Sequence, residues 1–235
     1  MSNNTVKNIK NIIIFVIPIM TISCRTSDPE LALSRYKAQS YCVYPKTQKQ
    51  TQLPKCTQNT VENQICSLSL SELRPTQFNY GQGYVTKLIE TYKNKPDKLQ
   101  ELVCAKPLSI VIGPKSEPGF YVTDGHHRIK ILEKIGDENS VHFTVAVKVV
   151  NNFMLENPRL KKEVFWNTMI ANNTVYLKDK GFPQTPDKLP NKFGELTNDP
   201  YRSLVSYVAE DKSKFCFDTN LSTFGNYGEF YWADY

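Results

Sequence analysis

The chain has 235 residues, 40% of them hydrophobic and 11% aromatic, enough apolar material for a packed core, which excludes a disordered chain. That length suits one domain with an extension, or two small domains. The formal charge of +6 permits contact with nucleic acid or an anionic surface without demanding it.

At the start, Lys7 and Lys10 precede an uninterrupted apolar run from Ile12 to Met20, then Thr21, Ile22, Ser23 and Cys24, with no acidic residue before Asp28. A basic segment, a short apolar run and a small residue before a cleavage point describe an export signal over residues 1–23. The run is too short to span a bilayer, which takes about 20 apolar residues. Its removal takes away only the two lysines and leaves 27 basic against 23 acidic side chains, or +4. Ile22-Ser23-Cys24 resembles a bacterial lipoprotein box, so a membrane anchor through a lipid on Cys24 and simple secretion both stay open. Either way the mature protein is expected outside the cytoplasm, in the periplasm, on the envelope or secreted. Cys42, Cys56, Cys66, Cys104 and Cys216 suit disulfides in such a compartment and match no C-x-x-C zinc pattern.

Residues 24–63 are polar and carry little periodicity, which reads as an extended or loop-rich tether, stapled by a Cys42–Cys56 pair. Ile65 to Leu70 suggests a strand, and Arg74, pushed to an extended conformation by Pro75, is expected on a loop. Val85, Leu88, Ile89 and Tyr92 form a helical stripe that breaks near Pro96, followed by a short helix around Leu99, Leu102 and Val103. Leu108 to Ile112 is an apolar run with Ser109 as its one polar residue, expected as a strand buried on both faces. A turn-rich loop from Gly113 to Gly119 leads to a strand over Phe120–Thr123, and Phe143, Val145, Val147 and Val149 alternate as another. Residues 64–150 thus form a compact mixed α+β domain, a small mixed sheet with helices. Residues 151–235 read as a mainly helical extension packed on it. There Pro158 suits a first helical turn, ahead of the stripe Leu160, Val164, Phe165 and Met169. Asp199 and Pro200 open a later helix with Leu204, Val205 and Val208 on one face, and a last segment carries Tyr227, Phe230, Tyr231 and Trp232.

The most informative stretch is Tyr121-Val122-Thr123-Asp124-Gly125-His126-His127-Arg128, a strand turning into a helix expected to end at Gly136. Asp124 is a favoured N-cap, and Gly125 allows close backbone approach. The start of a helix offers unpaired N–H groups and partial positive charge. Two of the chain's three histidines and an arginine in its first turn therefore point to a phosphate-sized anion. A solvated turn without ligand is the plainer alternative, but cations are poorly placed at a helix start unless an anion visits.

With its flanks, this stretch resembles the ParB/sulfiredoxin superfamily, in particular the branch of ParB-like nucleases. The matching pieces are Leu73-Arg74-Pro75-Thr76-Gln77, the strand from Pro107 to Pro114, Asp124-Gly125-His126-His127, Phe165-Trp166-x-x-Met169, Asp199-Pro200-Tyr201-Arg202-Ser203-Leu204 and Glu229-Phe230-x-Trp232-Ala233-Asp234. The resemblance implies a ParB/sulfiredoxin-like fold whose strand-to-helix turn grips nucleotide phosphates. Sulfiredoxins carry a nucleophilic cysteine where this chain has His126, so their sulfur chemistry is not expected here. By the branch's name the chain is a nuclease or phosphodiesterase, with nucleic acid or a nucleotide phosphate as partner. His126, His127 and Asp124 are the candidate catalytic residues, the histidines as general base or acid, while Gly125, Arg128 and Arg74 hold phosphate. No cofactor is named by the residues; a divalent metal such as magnesium is one that Asp124 could hold. A nucleotide-binding or phosphotransfer protein, and a non-enzymatic envelope protein binding an anionic ligand or partner, remain alternatives. The oligomeric state is left open.

Overall fold

A computed structural model describes residues 41–44, 49–93, 95, 98–99, 101–210 and 228–234. The expected export signal, Cys24, the first part of the expected tether, Pro96, Cys216 and Tyr227 lie outside the described residues.

The described residues open with an antiparallel pair, β1 (Tyr41–Tyr44) and β2 (Lys49–Gln52). A five-stranded mixed sheet follows, built from β3 (Ile65–Ser69), β4 (Leu73–Arg74), β6 (Leu108–Ile112), β7 (Phe120–Val122) and β8 (Thr144–Asn152), in the order β3-β8-β6-β7-β4. β6 lies parallel to β8 and antiparallel to β7. One face of the sheet carries helices α1 (Gln82–Lys93) and α2 (His126–Asn139). Alternation puts Leu108, Ile110, Ile112 and Val122 on this face, packed with Ile129, Leu132 and Ile135 of α2. Val111 and Tyr121 point the other way, into a second core with Phe153 of α3 (Phe153–Glu156) and Phe165, Trp166 and Met169 of α4 (Lys162–Ala171). β6, apolar except for Ser109, is therefore buried on both faces, as expected.

Three expectations need correction. Cys56 pairs with Cys66, not Cys42, joining the end of the presumed tether to β3 with 5.1 Å between Cα atoms. Leu53, Cys56 and Thr60 are buried, so the last part of residues 24–63 belongs to the packed body. Pro158 does not open a helix: α4 begins at Lys162, after the turns around Asn157 and Leu160. Closing the Cys56–Cys66 loop, a separation of 10 residues, restricts the unfolded chain. A Cys56→Ala/Cys66→Ala variant is accordingly expected to lose about 3 kcal/mol in urea unfolding without reductant.

The C-terminal extension is tied in by strand and helix contacts. After a short antiparallel pair, β9 (Lys178–Asp179) and β10 (Phe182–Pro183), β11 (Thr197–Asn198) pairs in parallel with β5 (Asn79–Tyr80), just ahead of α1. At the start of α1, the Gln82 N–H donates to Asn198 Oδ1 at 3.0 Å and the Tyr84 N–H to Ser203 Oγ at 3.3 Å. Residues more than a hundred positions away thereby satisfy helix-start donors. Helix α5 (Pro200–Glu210) begins as its sequence predicts, with Pro200 in the first position and Asp199 Oδ1 accepting from the Tyr201 N–H. Its inward face is not the expected one. Arg202, Ser203 and Ser206 are buried, whereas Leu204 is 56% exposed. A short final helix, α6 (Gly228–Ala233), packs beside α5 and places Phe230 in the interior.

Candidate functional site

β7 ends at Val122, and two residues later the chain turns into α2. The residue at the N-cap is Gly125, not Asp124. Its φ of 93° lies in the left-handed region that L side chains avoid. A Cβ there would stand 2.5 Å from Leu108 Cδ2 and 3.2 Å from an Arg128 nitrogen, so glycine lets the guanidinium fold back over the turn. Asp124 is freed from capping and stays exposed at the same turn. The far end differs too: α2 continues through Gly136 to Asn139, and Ser140, at φ 53°, takes the left-handed position. Gly136 is glycine for another reason, since a Cβ would meet Val141 O at 2.5 Å.

Both histidines turn inward. The Thr76 N–H donates to His126 Nε2 at 3.1 Å, and the Gly81 N–H donates to His127 Nε2 at 3.0 Å. A backbone N–H can only donate, so each Nε2 is an unprotonated acceptor and each ring carries its proton on Nδ1. Burial, and then the Arg202 guanidinium, hold His126 well below its ordinary pKa and push His127 down to about 3. At neutral pH the pair is uncharged. The two rings pin the segment from Thr76 to Gly81 to the first turn of α2, with Phe193 against His126 and Tyr84 edge-on to His127 at 5.5 Å.

The same segment brings in Arg202. A Cβ at Gly81 would lie 2.7 Å from Ser203 N, so this glycine admits the start of α5 against backbone. Arg202 is 6% exposed and its guanidinium lies over the Phe230 ring. It faces the same cleft as Asp124, Gly125, the two histidines and Arg128, a cavity of about 730 Å³ between α1, the start of α2, α5 and α6. Arg128 donates to the Lys106 carbonyl. Burial weighs against its charge, although a guanidinium stays protonated.

Arg74 does not belong to this group. It sits on β4 at the sheet edge, 3.9 Å from Glu117 Oε1 and 5.9 Å from the centre of the Tyr121 ring, and it does not line the cleft. Pro75 makes Arg74 extended, as expected, and the extended residue finds a strand partner in Tyr121. Arg202 was missed as a site residue. Its signal was present in Asp199-Pro200-Tyr201-Arg202-Ser203: a cation placed among small side chains on what becomes the inner face of a helix. Among the described residues, no three His, Cys, Asp or Glu side chains come together as a metal cage.

A family model described as "Putative ParB-like nuclease" matches residues 66–235. The chain belongs to the ParB-like nuclease family. No curated protein matches it. Among solved structures it is similar to protein Atu1540 from Agrobacterium tumefaciens, at a TM-score of 0.56 and 24% identity over 73% of this chain and 78% of that one. At that identity the likeness shows a shared fold. The family match spans β3 to α6 and so includes both the turn at Gly125 and Arg202, the two parts of the ParB-like chain that meet in the cleft.

Proposed function

We propose that this cleft holds a phosphate of nucleic acid or of a nucleotide, and that the protein is a phosphodiesterase working outside the cytoplasm. One observation carries the reading: two guanidiniums from distant parts of the chain, Arg128 and Arg202, line one cavity at the amide end of α2. The first N–H groups of a helix have no partner within it and favour an anion, and two arginines beside them supply charge that bulk water screens poorly. In hydrolysis these groups stabilise the charge growing on the phosphoryl oxygens. Asp124, exposed at the turn, takes a proton from water as the water oxygen bonds to phosphorus; the ester P–O bond then breaks and the leaving oxygen takes a proton from solvent. His126 and His127 are positioning residues in this scheme, because their Nε2 lone pairs already accept from backbone. Among the described residues no three His, Cys, Asp or Glu side chains form a metal cage, and the scheme uses the chain's own residues alone.

Export is supported by the basic and apolar start of the chain and by disulfide bonding at Cys56, Cys66 and Cys104. Attachment through a lipid on Cys24, or plain secretion, follows from the same start.

The test is cleavage of labelled oligonucleotides by the wild-type chain and by Asp124→Asn, with binding followed in parallel by fluorescence anisotropy. Asp124→Asn is expected to keep binding and to lose cleavage at least about a hundredfold, the usual weight of a general base. Binding without cleavage by the wild type would leave a phosphate-binding module and no enzyme. An absence of both would remove the reading.

A further inference from the structure

Among the described residues the most exposed large apolar side chain is Phe182, at 72%. It stands directly after the turn of the β9–β10 hairpin, whose two turn residues, Lys180 at φ 51° and Gly181 at φ 84°, have the left-handed backbone of a tight type I′ turn. The hairpin is held from behind. The Lys180 N–H donates to Asn79 Oδ1 at 3.1 Å, and Asn79 Nδ2 donates to Asp179 Oδ1 at 2.8 Å. Lys178 pairs with Asp234 at 3.0 Å and lies over the Tyr231 ring. Those contacts set α6 beside the hairpin, where Tyr231 is 36% and Trp232 54% exposed. One corner of the molecule thus carries three open aromatic side chains around a lysine-bearing turn, and none of the three lines the cleft.

The size of the corner restricts what it suits. Aromatic side chains bury about 150–250 Å² each, so the parts left open here come to roughly 300 Å². A stable protein interface takes about 800 Å² from each partner. A bilayer surface sets no such threshold, since it accepts single protruding side chains without a matching shape, and Tyr and Trp favour the level of its headgroups. Lys180, exposed at the tip, adds attraction to anionic headgroups. The nearby carboxylates oppose it weakly, because Asp179 is taken up by Asn79 and Asp234 by Lys178. A lipid on Cys24 would also keep Tyr41, seventeen positions later, within about 60 Å of a bilayer, the reach of an extended chain.

We infer that the Phe182 hairpin, with Tyr231 and Trp232 of α6, docks on the surface of an anionic phospholipid bilayer. This docking is independent of the phosphodiesterase reading and stands or falls without it.

The experiment follows tryptophan emission of the full chain as vesicles are added, either phosphatidylcholine alone or phosphatidylcholine containing phosphatidylglycerol. Trp166 is buried at 5% exposure and gives a constant background, so a change reports Trp232. The apolar run Ile12–Met20 can tether the chain to vesicles by itself, but tethering there leaves Trp232 in water. With the anionic vesicles the emission is expected to move to shorter wavelength and to be quenched by brominated acyl chains. Phe182→Ser is expected to raise the lipid concentration for half the shift at least about tenfold, the effect of keeping one aromatic side chain out of the apolar layer. Phe182→Trp is expected to retain binding. Lys180→Gln should weaken binding to the anionic vesicles about fivefold and leave the response to phosphatidylcholine unchanged. Circular dichroism of each variant checks that it is folded. No shift with either vesicle overturns the inference, as does a shift that Phe182→Ser leaves unchanged. A shift that appears on raising the protein concentration without vesicles assigns the corner to a second copy of the chain and overturns the bilayer. Equal responses to the two vesicles overturn the part given to Lys180.

Discussion

In an Arg202→Met variant, affinity for a short single-stranded oligonucleotide is expected to fall about thirtyfold, or about 2 kcal/mol, the scale of one hydrogen bond to a charged group. Methionine keeps much of the volume and the contact with Phe230 while removing the charge. A second readout separates this from a general loss of structure. Because the Arg202 guanidinium helps hold both buried imidazoles below their ordinary pKa, the variant should titrate its histidines at higher pH than the wild type. Ring proton shifts in NMR follow that directly. An unchanged histidine titration with unchanged affinity would place Arg202 outside the site.

The second large effect is acid lability. His127 titrates at about 3 in the folded chain and His126 well below its ordinary value, whereas both titrate near 6.5 when unfolded. These are depressed pKa values, so their stabilising contribution is complete above pH 6.5. It is lost as pH falls through the window from 6.5 toward 3, where the unfolded chain takes up protons that the folded chain refuses. The slope approaches about 1.4 kcal/mol per pH unit below pH 6.5, hence about 2 kcal/mol for His127 by pH 5, and His126 adds in the same direction. That is a large share of the 5–15 kcal/mol typical of a domain. Urea unfolding at pH 7 and pH 5 reads it out. His127→Gln offers an uncharged acceptor to the Gly81 N–H and should reduce the pH dependence; a dependence equal to wild type would mean that His127 is not the group responsible.

Much of the architecture was legible because it follows from local rules. The run Leu108–Ile112, apolar except for Ser109, reads as a doubly covered strand, and Asp199-Pro200 as the start of a helix. The turn at Gly125 was legible as well. His-His-Arg at a helix start reads as cationic or near-neutral groups turned toward an anion. In the fold, two of them face inward as neutral acceptors for Thr76 and Gly81, residues about fifty positions upstream that no local pattern connects to them. For the same reason Asp124 looked like the cap: Asp is the commoner N-cap residue, and the steric demand of Leu108 and Arg128 on the next position appears only in three dimensions. α5 misled in another manner. Its apolar residues do recur at helical spacing, but the partner across the interface is a polar cleft, so the helix turns Arg202, Ser203 and Ser206 inward and leaves Leu204 in solvent.

The pairing of β11 with β5, and the capping of α1 by Asn198 and Ser203, carry a temporal implication. Every strand of the five-stranded sheet is already made by the time residue 152 is synthesised, yet the second guanidinium arrives fifty residues later. A nascent or prematurely terminated chain would therefore display the glycine turn with the proposed anion clamp missing one jaw until α5 docks against Gly81.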